Sequence, residues 1–429
     1  MENVQIVLLA YLVCFCVPSI IIDILQIKYV SFYASKKPII LDSNDYKLAA
    51  NYAILQRKVS IATHIFEFIM LIFWLYFGIN YLDRFYEHTT FSPLAKEWCI
   101  VMSFFAISAG LNLPFSILQK RIDRVYGFHK GSATLFIKDI IKSIVLVGAL
   151  GGILLGSLLW IMDNVPQWWI FGFVLFFTFI IVIQLIYPTI IAPLFNKFSP
   201  LQNANLESRI NALMDKVGFK SSGVFVMDAS KRDGRLNAYF GGLGRSKRVV
   251  LFDTLLEKIS EDGLIAILGH ELGHFKHKDI LRNIIIAGAI LLGMFAFMGL
   301  FTTHLCTFLG LSVSYSNIII LSILLMPALT FLVQPLSNYF SRKAEYKADS
   351  FGASCVSQKA LREALIRLVN ENKAFPYSHP AYIFFYYSHP PLIERLKALG
   401  VQDSIESFEL DSNMDIESNL QNTLNKGTL

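Results

Sequence analysis

Charge is what this chain lacks most: 16% of its residues are Asp, Glu, Lys or Arg, where soluble domains carry about 25%. That shortage excludes an ordinary soluble protein of this size, whose surface could not be covered. The 54% hydrophobic content equally excludes a disordered chain. Cysteine is scarce as well. Five occur, at Cys14, Cys16, Cys99, Cys306 and Cys355, and no second CxxC completes a metal-type pair, so no disulfide framework is expected. Asn-x-Ser/Thr acceptors are absent. The excess of base is small, +6, and gives no reason to expect a nucleic-acid partner.

Long apolar runs are present in number. Seven stretches, at 4–25, 61–82, 98–118, 143–162, 168–187, 283–303 and 317–337, reach the ~20 residues that cross a bilayer. The first has no basic segment before it and no small-residue cleavage site, so it reads as a retained span rather than a signal peptide. None of the seven contains Lys or Arg. All 38 basic residues except Arg84 and Lys96 fall on one side if the N-terminus lies outside, which predicts that the polar segments face the cytosol. Trp98, Trp160, Trp168 and Trp169 then sit at the outer boundary, as an interfacial belt does. Gly148, Gly152 and Gly156 recur every four residues, a spacing for close helix approach. His64 and Glu67 lie one turn apart in the second span, near its cytosolic end, where an ionisable residue can snorkel or line a wet cavity.

Two polar segments, about 188–282 and 338–429, carry the remaining mass. The first reads as α+β. Helical spacing covers 206–217, short strands fall at 223–227, 236–240 and 248–252, and Ser260 caps a helix running to about 276. The second begins with a helix from about 341 to 370, continuing the seventh span, followed by a Pro-, His- and Tyr-rich loop at 375–391. Residues 403–417 are acidic without Lys or Arg and read as a solvated tail.

The chemistry lies in His270-Glu271-Leu272-Gly273-His274. In H-E-x-x-H the histidines at i and i+4 share one helix face and can hold one Zn2+. Glu271, between them, is placed to move the proton of the attacking water. His277 is too far along the helix, about 10 Å from His270, to join both on one ion. Ile280 stands where the longer metzincin pattern needs a histidine, so that class is excluded. A catalytic zinc takes three protein ligands, and Glu345, just past the seventh span, is the best candidate for the third. Asp349, one turn later, is placed to orient a ligand histidine. From spacing alone, a surface carboxylate pair is the alternative reading of Glu345 and Asp349. Residues 236–240 could offer a strand edge to a peptide. Ser-His-Pro occurs at both His379 and His389, and periodicity cannot rank them.

In these motifs and others along the chain, the sequence resembles the type I CAAX prenyl proteases, integral-membrane zinc metalloproteases. The resemblance runs through Leu113-Pro114-Phe115-Ser116, Gly127-Phe128-His129-Lys130, Ile186-Tyr187-Pro188, Ile191-Ala192-Pro193-Leu194-Phe195, Ser230-Lys231-Arg232, Asn237-Ala238-Tyr239-Phe240 and 250–256. It continues through 270–275, 345–351 and 388–396, at the family's spacing over about residues 45–400. The family usually has Asn where this chain has His129. The resemblance implies an α-helical polytopic membrane protein whose seven transmembrane helices enclose a chamber, closed by a small α+β zincin-like domain on the cytosolic side. It divides the chain into spans one to five (1–187), a first protease segment (188–282), spans six and seven (283–337), a second protease segment (338–400) and the tail (401–429). It implies one Zn2+ on His270, His274 and Glu345, Glu271 as general base and acid, and Asp349 behind a ligand. It further implies Asn237, Ala238 and Tyr239 as substrate-binding residues, with His389 and Arg395 supporting the transition state. The implied partners are the bilayer and a lipidated or other membrane-associated peptide, in the endoplasmic reticulum or a bacterial inner membrane. A quality-control protease without prenyl specificity is the alternative, and a transporter with a structural zinc is the remote one. The oligomeric state is not legible.

Overall fold

The computed structural model describes residues 2–242 and 247–400, so the acidic tail lies outside the described residues. Seven helices are long and apolar enough to cross a membrane: α1 (Glu2–Ala34), α2 (Ser43–Glu87), α3 (Pro93–Val125), α4 (Ala133–Asn164), α5 (Trp168–Phe195), α9 (Asp279–Leu309) and α10 (Tyr315–Cys355). These match the seven apolar runs, but the helices extend well beyond them. At ~1.5 Å per residue, the 41 residues of α10 reach about 60 Å, twice a bilayer core. Four of the seven contain a single π-turn, at Leu12–Cys16, Trp74–Gly78, Tyr187–Ile191 and Met298–Thr302.

The apolar windows of α3, α4 and α5 are only 17%, 17% and 6% buried. A compact bundle would cover a stripe of each, so these helices form thin walls, as around a chamber. Gly152 and Gly156 accept the indole of Trp98 from α3, whose Nε1 donates to Gly152 O at 2.9 Å. The glycine repeat therefore receives a ring rather than a second backbone.

The polar segments build one domain at the end of the bundle where α5 and α10 finish. Its elements are β1 (Phe198–Pro200), α6 (Ala204–Lys216), β2 (Val224–Met227), β3 (Ala238–Gly241), β4 (Arg248–Phe252), α7 (Asp253–Lys258), α8 (Glu261–Lys276), α11 (Gln358–Glu371), α12 (Pro380–Tyr386) and α13 (Leu392–Ala398). The sheet order is β1-β2-β4-β3, with only β2 and β4 parallel. The expected helix over 341–370 is broken at 356–357, where Ser357 leaves helical backbone and caps α11. The loop at 375–391 contains α12, which periodicity did not reveal because seven residues are too few to show it.

The two basic connections, after α1 and after α3, both meet this domain. Ile39 and Leu41 pack with Leu361 and Phe375, and His129 bridges to Asp233. The Lys/Arg-rich face and the domain are thus on one side of the bundle.

Candidate metal centre

The sequence of α8 places the site. Ser260 accepts from Gly263 N at 3.2 Å and starts the helix, a cap worth ~1 kcal/mol. Leu264, Ile265, Ile267, Leu268 and Leu272 bury one side of α8 against the sheet and α6. The opposite side meets α10 through small residues. A Cβ on Gly273 would stand 3.0 Å from Ala348 Cα, and one on Gly352 would stand 2.7 Å from Ala266 O. The backbones therefore approach closely, and His270, His274 and Glu345 meet where the helices touch.

One donor atom from each of these three residues lies within 4.8 Å of the other two. Glu345 Oε2 is 3.4 Å from His270 Nε2, and Oε1 is 3.2 Å from His274 Nε2. Both Nδ1 atoms are occupied elsewhere, by Asp349 Oδ1 at 2.8 Å and Asp279 Oδ2 at 3.0 Å. Each ring is thereby held with Nε2 turned inward. Asp279 is in turn held by Arg282 at 2.8 Å. The sequence reading did not single out Asp279. Its signal was present: an acid five residues past His274, at the start of the next helix.

The donor set fits a divalent ion. Glu345 Oε2 is buried and accepts no hydrogen bond from any described residue, although His389 Nδ1 lies 2.9 Å away. A buried carboxylate oxygen without a donor is costly unless a cation meets it. Burial pulls the pKa of His270 down, but hydrogen bonds to Asp349 and Glu345 outweigh it and raise it to about 9. His274 is raised in the same way, by Glu345 and Asp279 against burial.

Beside this triangle lies a cleft of about 500 Å³. Glu271, His389 and Arg395 line its polar end, while Leu255, Ile267, Leu365, Leu368, Val369 and Phe375 form an apolar pocket. β3 is an edge strand, and Asn237 and Ala238 form one lip of the cleft. Asn372 closes that lip at Leu236, accepting its N–H at 2.9 Å and donating to its carbonyl at 3.3 Å. Asn372 was not foreseen, since nothing in its sequence neighbourhood distinguishes it.

The remaining candidates fall in different places. The Tyr239 side chain packs with Met227, Val250 and Phe252 on the other face of the sheet, so it does not reach the cleft. Arg395 is clamped on Asp349 by bonds of 2.8 and 2.6 Å. His379 caps α12, its Nδ1 accepting from Ala381 N at 3.1 Å, which separates the two Ser-His-Pro histidines: only His389 reaches the centre. His64 stands away from it, 3.7 Å from Asp23 and 3.5 Å from Glu67, and Arg57 pairs with Asp23 at 3.1 Å.

Known proteins are similar to this chain in both sequence and fold. Residues 34–197 match the family model "CAAX prenyl protease N-terminal, five membrane helices", and residues 200–402 match peptidase family M48. CAAX prenyl protease 1 of Saccharomyces cerevisiae is 35% identical, covering 72% of this chain and 73% of that protein. The human CAAX prenyl protease 1 homolog is 32% identical, covering 76% of this chain and 79% of that protein. The crystal structure of S. mikatae Ste24p superposes with a TM-score of 0.84 at 29% identity, over 92% of this chain and 99% of that one. Membrane helices, H-E-x-x-H centre and relatives agree, and the chain belongs to peptidase family M48, among the CAAX prenyl protease 1 homologues, as an integral-membrane metallopeptidase.

Proposed function

We propose that this chain is a zinc-dependent endopeptidase that cuts near the C-terminus of prenylated CAAX-type or similar membrane-associated substrates, on the cytosolic face of its membrane. The observation that carries the proposal is the His270–His274–Glu345 triangle opening on an apolar cleft beside a free strand edge. His270, His274 and Glu345 would hold the zinc, and a His2Glu set of this kind supplies a Lewis acid for the scissile carbonyl.

The chain's own residues do the rest. The edge at Ala238 pairs with the extended peptide backbone, and Asn237 beside it lines the cleft. The apolar pocket takes an aliphatic side chain, as the residues after the prenylated cysteine of a CAAX box provide. Glu271 accepts the proton of the attacking water and passes it to the leaving amine. His389, exposed at the cleft mouth, donates to the oxygen that gains charge. Arg395 holds Asp349, and Asp349 holds the ring of His270.

The test is Glu271→Gln on purified protein with farnesylated and plain CAAX peptides, products identified by mass. Zinc content stays at one per chain and cleavage falls by at least about 100-fold, the scale of a lost general base. Normal turnover by Glu271→Gln overturns the mechanism. Equal cleavage of plain and farnesylated peptides would instead favour the quality-control reading.

A further inference from the structure

His389 is among the most exposed of the site residues, and nothing on its own short loop fixes it. Its side chain is 63% accessible. What fixes the loop is the helix that carries Glu345. Four residues on consecutive turns of α10 reach the loop or its flanks. Arg342 Nη1 donates to Ile383 O at 3.0 Å and to Tyr387 O at 2.5 Å. Glu345 meets His389 itself. The Tyr346 hydroxyl donates to Glu394 at 2.9 Å, and Asp349 takes Arg395. Residues 388–391 are therefore strung between two anchors on one helix.

The Arg342 anchor is the closer to His389. Tyr387 O lies just past the last turn of α12, and Ile383 O, which already accepts from Tyr387 N at 3.2 Å, has a second lone pair free; this C-terminal end of the helix favours a cation. No described carboxylate lies within 4 Å of Arg342, so its hydrogen bonds to α12 are not shared with an ion pair. The neighbouring Asn338 donates to Phe385 O at 2.6 Å. The far end of α12 is tied to the first two spans. Gln26 accepts from His379 N at 2.7 Å, and Arg57 lies over the ring of Tyr382 at 4.9 Å. With α12 pinned at both ends, the backbone two residues before His389 has one position relative to Glu345.

We propose that Arg342 is a positioning residue for the reaction, acting through His389: by gripping the end of α12 it sets where His389 stands beside the metal ligand Glu345. The inference rests on the role given to His389 above. Arg342 itself touches neither the cleft nor the metal triangle. Because it orders a group that meets the transition state rather than the ground state, its loss should lower kcat and leave KM nearly unchanged.

The test is a double-mutant cycle in purified protein, with kcat, KM and zinc content measured for each variant. Arg342→Met lowers kcat by about 10- to 100-fold, the scale of a displaced catalytic group, with KM within about twofold and zinc retained. Arg342→Lys keeps a donor for the same carbonyls and recovers at least half of the activity. In a His389→Ala background, Arg342→Met costs less than about twofold, because the group it positions is already gone. Losses that multiply in the double variant overturn the inference, as does wild-type kcat in Arg342→Met. Full activity of His389→Ala alone would instead remove the role of His389 while leaving the Glu271 mechanism standing. Should Arg342→Met not accumulate folded, Asn338→Ala, which loosens the same end of α12, carries the cycle in its place.

Discussion

At the residue scale, the proposed metal centre depends on two carboxylates that stand behind its histidines. Asp349 and Asp279 each fix one histidine ring, and outer partners of this kind are typically worth 10–100-fold in metal affinity. Asp279→Ala is expected to weaken zinc binding by about that factor while leaving the seven helices intact, as a competitive chelator titration would show. The same contacts set the proton linkage. The folded pKa of His270, about 9, exceeds its unfolded value of roughly 6.5. The proton therefore stabilises the metal-free fold fully below the unfolded value and ceases to do so as pH rises through the folded one. The proposed zinc needs the neutral ring, so its binding at pH 7 is expected to release protons and to tighten with pH. Calorimetry in buffers of different ionisation enthalpy measures that release, and none at pH 7 would contradict it. His270, Glu271 and His274 were legible because their spacing is their chemistry. Glu345 was legible as a candidate only, since its partner residues are 71 and 75 positions away. Asn372 and Arg342 were not legible, because each acts on backbone atoms of a distant segment.

At the scale of elements, the site depends on how closely α8 and α10 pack. Gly352 permits this, with Ala266 O and His270 N beside the place its Cβ would take. Gly352→Ala must push the helices apart or bend them, at a cost of about 1–3 kcal/mol for an overpacked contact. Because the displaced pair carries both halves of the triangle, the variant is expected to lose zinc affinity together with thermal stability. A stability loss with metal binding unchanged would show that the contact relaxes elsewhere. The helices were legible from apolar length, capping residues and H-E-x-x-H spacing, and three of the four strands as short apolar runs. β1 was missed because it has three residues, one of them Pro200. The continuous path of α10 from bilayer to ligand was foreseen, but its extension as far as residue 370 was not borne out, because the break at Ser357 serves a cap rather than a turn composed of Gly or Pro.

At the scale of the molecule, the distribution of charge and the position of the centre are the same fact. A seven-span chain has its ends on opposite sides, and the basic connections after α1 and α3 pack against the protease domain. The opposite end of the bundle is closed by acids. Asp83 accepts from Ser312 at 2.7 Å and Asn317 at 2.9 Å, and Glu97 accepts from Ser316 N at 2.7 Å. Lys and Arg are retained on the cytosolic side during insertion, whereas Asp and Glu contribute little. The basic end, and with it His270, His274 and Glu345, should therefore face the cytosol. A variant with its five native cysteines replaced by serine allows a direct measurement. Thr90→Cys lies between α2 and α3, and Lys359→Cys lies on α11 in the protease domain. In sealed membrane vesicles with the cytosolic face outward, a membrane-impermeant maleimide is expected to label Lys359→Cys and to reach Thr90→Cys only after permeabilisation. The reverse pattern would invert the topology, and a substrate prenylated in the cytosol could then meet the centre only by crossing the bilayer first.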